Sequence, residues 1–242
     1  MEDITFKLAG DTAILIEFGN EISSEVNRRV MAFDDCLNRE GMEGIVETVP
    51  TYRSLTVHYR PEVISYGALR ERLQEVLAKT VLSQARKRKV YEIPVLYGGE
   101  QGPDLAYAAQ YSGKTEEEVI RLHSEPEYLI YMLGFTPGFP YLGGMDKSIA
   151  VPRLEKPRTK IPAGSIGIAG EQTGIYPLDS PGGWQLIGQT PVKLYDPRKE
   201  RAILLEAGSF IKFKPITVRE FRQIKEMADA GEYVCKTCEK EK

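Results

Sequence analysis

GFTPGFPYLGGMD, residues 134–146, interleaves glycine and proline with phenylalanine and tyrosine. Proline fixes φ and withholds a donor, whereas glycine permits positive φ and close approach, so the run predicts a loop of defined shape carrying flat apolar surface. Two further stretches share this texture: PRLEKPRTKIPAGSIGIAGEQTGIYP (152–177) and SPGGWQLIGQTP (180–191). Short strand-like segments surround them: EIPVLYG, YLIYML, SIGIAG, WQLIGQT, VKLYD and RAILLEA. Short strands separated by such turns suggest a barrel or sandwich. Residues 103–123 read as two small helices. A closing helix begins at Thr217, where Glu220 completes a capping box, Val218, Phe221, Ile224 and Ala228 share one side, and Gly231 marks the end.

Upstream the texture differs. DTAILIEF (11–18) alternates so that Ile14, Ile16 and Phe18 share one strand face. From Ile22 to about Arg39, Ile22, Val26, Val30, Phe33 and Leu37 recur at helical spacing, and Gly41 and Gly44 end the helix. GIVETVP and RSLTVHYR read as two strands, the second with Leu55, Val57 and Tyr59 inward and His58 outward. A second helix starts near Ser65 and carries Leu69, Leu73, Val76 and Leu77. With a returning strand, this order gives a ferredoxin-like arrangement. The basic run ARKRK (85–89) reads as a solvated helix end joining two domains.

Composition bounds the function. Hydrophobic residues at 42% beside 28% charged ones describe a soluble globular chain, and no apolar run approaches a bilayer span. A cytoplasmic protein is expected. A net charge of −3 argues against nucleic acid as a partner. Three cysteines are too few for a disulfide scaffold, and Cys235 and Cys238 form a CxxC expected in a mobile tail without a second ligand pair for a metal.

Standard catalytic motifs fail on inspection. GKT (113–115) lacks the earlier glycine of a phosphate loop, and AGSIG (163–167) lacks the strand-turn-helix setting of a nucleophile elbow. His123, near the end of TEEEVIRLHS, is expected at the surface, where the helix dipole would favour its protonation. The polar residues Arg153, Arg158, Gln172 and Ser180 are interleaved with Tyr141, Tyr176 and Trp184. These seven form the candidate ligand site: arginines as anion clamps, Gln172 and Ser180 as hydrogen-bonding groups, and aromatic walls around a planar amide or a peptide. The catalytic residues are left unassigned.

Taken together, GFTPGFPYLGGMD, VPRLEKPRTKIPAGSIGIAGEQTGIYPLDSPGGWQLIGQTP and GDTAILIEFG closely resemble the 5-oxoprolinase B-subunit family. That family also includes the sporulation kinase A inhibitors and the allophanate hydrolase subunit 1 module of urea carboxylase-type enzymes. The resemblance covers nearly the whole chain. It implies an α+β protein, with an N-terminal ferredoxin-like α/β domain (1–88) and a C-terminal cyclophilin-like β-barrel domain with a closing helix (89–242). It further implies a non-autonomous member of a heteromeric complex. Its companions would be a C subunit, of allophanate hydrolase subunit 2 type, and an A subunit of a separate family. Together they would hydrolyse 5-oxoproline to L-glutamate at the expense of ATP. ATP would be held by Arg153, Arg158 and glycine-loop amides or bound elsewhere in the complex. The alternatives it leaves open are an inhibitor of a sensor histidine kinase and a module of a urea-carboxylating system.

Overall fold

The computed structural model describes residues 4–80 and 87–241. The chain divides into two compact units, residues 1–86 and 87–242.

In the first unit, β1 (Thr5–Leu8), β2 (Ala13–Glu17), α1 (Ser24–Glu40), β3 (Ile45–Pro50), β4 (Ser54–Tyr59) and α2 (Tyr66–Lys79) follow in sequence. The sheet is antiparallel in the order β1-β2-β4-β3. Alternation turns Ile14, Ile16, Leu55, Val57 and Tyr59 toward Val30, Phe33 and Leu37 of α1 and Leu69, Leu73 and Val76 of α2. Among the described residues the fourth strand is not one that returns after α2. It is β1, which precedes the first helix and occupies the edge beside β2. Ser23, not Ile22, starts α1: the Ser23 hydroxyl accepts the Val26 N–H, and Ile22 stays exposed ahead of the cap.

The second unit comprises β5 (Lys87–Tyr97), α3 (Leu105–Ser112), α4 (Glu116–Ser124), β6 (Glu127–Leu133), β7 (Pro140–Gly143), a 3-10 turn (Lys147–Ile149), β8 (Arg158–Ile161), β9 (Ser165–Ala169), β10 (Gln172–Ile175), β11 (Ser180–Gly182), β12 (Gln185–Gln189), β13 (Phe210–Pro215), α5 (Val218–Ala230) and β14 (Thr237–Glu241). Its main sheet runs β10-β9-β12-β5-β13-β6-β7, antiparallel except where β5 and β13 run parallel. The terminal strands β10 and β7 lie side by side without a ladder, so the sheet curls into a nearly closed barrel. Ile93, Val95, Ile130, Leu142, Ile166, Ile168, Ile175, Ile187, Ile211 and Phe213 fill it.

Several expectations are corrected. Lys87, Arg88 and Lys89 open β5 and do not end a helix; Ala85 and Arg86 lie outside the described residues. Lys89 pairs with Glu206 at 2.8 Å and stands opposite Glu239 of β14, so this lysine meets acids on the sheet. The CxxC is not in a loose tail, because β14 zips antiparallel onto Lys87–Tyr91. Cys238 is exposed there, whereas burial pushes the Cys235 thiol up to about 11. VKLYD and RAILLEA form only a Tyr195–Ile203 bridge. Asp196 accepts the backbone and side-chain N–H groups of Arg198 across Pro197, which closes a turn, while Val192, Leu194 and Leu205 are buried without strand pairing. Val218 is exposed on α5, although Phe221 and Ala228 are buried as expected.

His123 is 0% exposed, contrary to the surface expectation. Helix α4 has the anticipated Thr115/Glu118 capping box, but Val119 and His123 lie one turn apart on the face that packs inward. The Thr173 hydroxyl donates to the Gly167 carbonyl, so it accepts the His123 Nε2–H at 2.8 Å. Nδ1 is thereby left to accept the Tyr97 O–H at 2.8 Å. The ring stacks 4.6 Å from Phe213. Both ring nitrogens are satisfied in the neutral form, and burial lowers the His123 pKa to about 3. The folded state therefore keeps this imidazole neutral, while the unfolded chain protonates near 6.5. Its stabilisation is complete above that pH and is lost as the pH falls toward 3, at about 1.4 kcal/mol per unit. Urea unfolding of wild type and His123→Gln should show a stability gap that narrows by about 2 kcal/mol between pH 7 and pH 5; a pH-independent gap would contradict the neutral, sealed histidine.

Candidate functional site

The hairpin between β6 and β7 is tight. The Thr136 N–H donates to the Gly134 carbonyl at 2.8 Å, a three-residue turn centred on Phe135 at φ +67°. The Phe139 N–H then donates to the Thr136 carbonyl at 3.0 Å, with Pro137 second and Gly138 third at φ +83°, the pattern of a type II turn. Phe135 is the sole non-glycine residue with positive φ among the described residues, and it is 73% exposed. Phe139 turns inward.

Phe139 is the hub of an aromatic cluster on the outer face of the barrel. Its ring centroid lies 5.4 Å from Tyr141, 5.8 Å from Tyr176, 5.8 Å from Phe135 and 6.0 Å from Trp184, and Tyr176 lies 6.1 Å from Trp184. The planes cross at 67–85°, the edge-to-face geometry in which a positive ring edge meets a negative face. Ile166, Ile168 and Ile175 point into the barrel, so Gly167 and Gly174 present bare backbone outward as a floor. A Cβ on Gly174 would stand 3.1 Å from Trp184 Cζ3 and 3.3 Å from Phe139 Cζ. The rings thus bridge the seam where β7 and β10 share no ladder.

One carboxylate fixes the edge of this cluster. Asp104, just ahead of α3, makes no side-chain cap to its own helix. Its Oδ2 accepts the Leu186 N–H at 2.6 Å, and its own N–H donates to the Leu186 carbonyl at 2.9 Å. Its Oδ1 accepts Arg158 Nη2 at 2.8 Å, while Arg158 Nη1 donates to the Trp184 carbonyl at 3.3 Å. Two more bonds pin the neighbouring segment: Gln185 Nε2 to the Pro152 carbonyl at 3.1 Å and the Leu154 N–H to the Gly183 carbonyl at 2.7 Å. Arg153 is carried between them, its guanidinium carbon 5.9 Å above the Trp184 ring.

Of the seven sequence-selected residues, Tyr141, Tyr176, Trp184, Arg153 and Arg158 are gathered here. Ser180 pairs with Ile161 in the β8–β11 ribbon, beside the cluster but not within its ring contacts. Gln172 is exposed at the far end of β10 and makes no hydrogen bond to the other six. The rings fill each other's space, so they form a packed surface and not the expected hollow. Arg158 spends two N–H groups inside the protein and acts as a positioning residue, whereas Arg153 is exposed. Asp104 was not anticipated; before LAYAA it reads as an ordinary helix cap.

The surface can stack against a planar group and attract an anion. Two groups with catalytic chemistry lie off this surface: Ser165 is buried in β9, and His123 is sealed beyond the opposite face of β10. Burial raises the Tyr176 phenol further from ionisation. Among the described residues, no three His, Cys, Asp or Glu side chains gather to hold a metal. Seating of the Tyr176 ring can be tested at Gly182, where a Cβ would lie 2.5 Å from Tyr176 Oη and 2.8 Å from Ile161 Cδ1. Gly182→Ala should lower unfolding stability by about 1–3 kcal/mol in urea; an unchanged midpoint would mean the ring does not occupy that space.

Comparison with known proteins places this geometry. Residues 4–205 match the family described as carboxyltransferase domain, subdomain C and D. The B subunit of 5-oxoprolinase from Bacillus subtilis (strain 168) is 45% identical over 227 residues, 90% of this chain and 95% of that protein. The solved structure of TTHA0988 is 40% identical with a TM-score of 0.75; the match covers 85% of this chain and 40% of that one, so this chain spans less than half of TTHA0988. The urea amidolyase of K. lactis shares the fold at a TM-score of 0.79 with 22% identity, over 98% of this chain and 16% of that one. Sequence and fold agree: the chain belongs to the carboxyltransferase subdomain C and D family and, within it, to the B subunits of 5-oxoprolinase.

Proposed function

We propose that this chain is the B subunit of an ATP-dependent 5-oxoprolinase, which hydrolyses 5-oxoproline to L-glutamate together with its A and C subunits in the cytoplasm. The observation that carries this reading is the 45% identity to the B. subtilis protein across 95% of its length. On this reading the first unit is a ferredoxin-like domain and the second, which begins with β5 at Lys87, a cyclophilin-like barrel. The substrate is a planar lactam bearing a carboxylate. Its ring suits the faces of Tyr141 and Trp184, and its carboxylate suits Arg153, which is exposed and touches Trp184 by a cation–π contact.

Opening the lactam breaks the C–N bond of a resonance-stabilised amide, adds the oxygen of water to the carbonyl carbon and returns the nitrogen as an amine. Among the described residues the aromatic surface does not bring a nucleophile and a base together, and on this reading its part is to bind and orient. On this reading neither GKT nor Arg158 serves a nucleoside triphosphate. Gly113 of GKT, at φ +67°, ends α3 and Thr115 caps α4, while Arg158 is engaged by Asp104. ATP is accordingly assigned to the rest of the complex. The urea-carboxylating alternative has the fold likeness to urea amidolyase in its favour, which at 22% identity speaks for fold alone.

Two measurements test the reading. Co-expressed subunits should hydrolyse ATP in response to 5-oxoproline only when this chain is included; activity that persists without it would refute the assignment. In the assembled complex, Arg153→Ala should lower kcat/KM for 5-oxoproline about 10-fold, the equivalent of roughly 1.4 kcal/mol, without lowering the melting temperature. Unchanged kcat/KM would remove Arg153 from the site.

A further inference from the structure

Phe135 has no explanation within the fold. A bulky side chain at φ +67° occupies a backbone region that glycine or asparagine enters with less strain, and 73% exposure leaves most of the ring in water. Folding alone would favour a small or polar residue at this hairpin tip. The ring is nonetheless held at a defined place, edge-on to Phe139 at 5.8 Å and 77°. From Phe135 the surface continues through Phe139 and Trp184 to Arg153.

That surface is also incomplete as a binding site. Ligand pockets enclose most of a small molecule, roughly 70–90% of its surface, whereas these rings pack against one another and offer one wall. A companion chain of the complex can supply the second wall. This chain matches 40% of TTHA0988, a longer polypeptide, so in that relative further protein is covalently attached to the same module. The flank gives the charge of the missing wall: Lys156 is exposed and carries no ion pair among the described residues, beside Arg153, which faces the substrate on the reading above.

We infer that Phe135 is the anchor by which this chain docks a companion protein of its complex, its ring entering an apolar socket on a surface that presents carboxylates to Lys156. The inference rests on the 5-oxoprolinase reading above. Docking there closes the open side of the aromatic surface and completes the substrate pocket, which is why the tip is held in a strained but fixed turn before the partner arrives.

The test measures binding of the full-length chain to the purified A and C subunits, each immobilised separately. Phe135→Gly relieves the positive-φ strain, so its melting temperature should equal or exceed that of wild type while its affinity for one companion falls at least 10-fold. Phe135→Tyr keeps the ring and should bind within about threefold of wild type. Equal affinity of wild type and Phe135→Gly would overturn the anchor and leave the 5-oxoprolinase reading standing; no binding of wild type to either companion would overturn both. Two further results would reassign the residue and overturn the proposal. One is a Phe135-dependent dimer of this chain alone in light scattering. The other is a raised KM for 5-oxoproline in Phe135→Gly complexes whose assembly affinity is unchanged.

Discussion

The carboxylate of Asp104 is the constraint on which the recognition surface depends. Its two oxygens and its own N–H tie the start of α3 to Leu186 on β12 and to Arg158 on β8. The side chain is only 13% exposed, so these are charge-assisted bonds in a poorly hydrated place, where leaving one partner unmet costs about 1–3 kcal/mol. Through Arg158 the same carboxylate reaches the Trp184 carbonyl. A group far from Trp184 in sequence thus sets where that tryptophan stands.

Around that fixed point the barrel solves a closure problem with side chains. Strands β7 and β10 face each other without hydrogen bonds, an arrangement that would leave two open edges. Phe139 and Tyr141 from one side and Tyr176 from the other close the seam by edge-to-face contact, over a floor made level by Gly167 and Gly174. On the proposed reading stability and recognition share residues: the rings that close the barrel outside are the same rings that a ligand or a partner would meet.

Much of this was legible because it is local. Alternation at Ile14 and Ile16 and at Leu55, Val57 and Tyr59 marked strands, and Thr115 with Glu118 and Thr217 with Glu220 marked helix starts by their own hydrogen bonds. The aromatic cluster was legible because three stretches interleave glycine and proline with aromatic residues, which marks shaped loops carrying flat apolar surface, and the rings of these stretches do meet. What escaped is nonlocal. The burial of His123 is decided by Tyr97 and Thr173, 26 and 50 residues away, and the role of Asp104 by Arg158 and Leu186, 54 and 82 residues away. The C-terminal strand looked like a tail because its partner, the start of β5, lies near the middle of the chain. Short-range patterns carry no trace of such pairings.

Trp184 is the one tryptophan in the chain, so its fluorescence reports the site directly. The decisive measurement is the emission maximum and acrylamide quenching of Asp104→Ala, with far-UV circular dichroism confirming that the variant is folded. Loss of the carboxylate should free Arg158 and loosen Leu186, giving a red-shifted and more readily quenched Trp184. Emission and quenching identical to wild type in a folded Asp104→Ala protein would contradict the claim that this carboxylate positions the recognition surface.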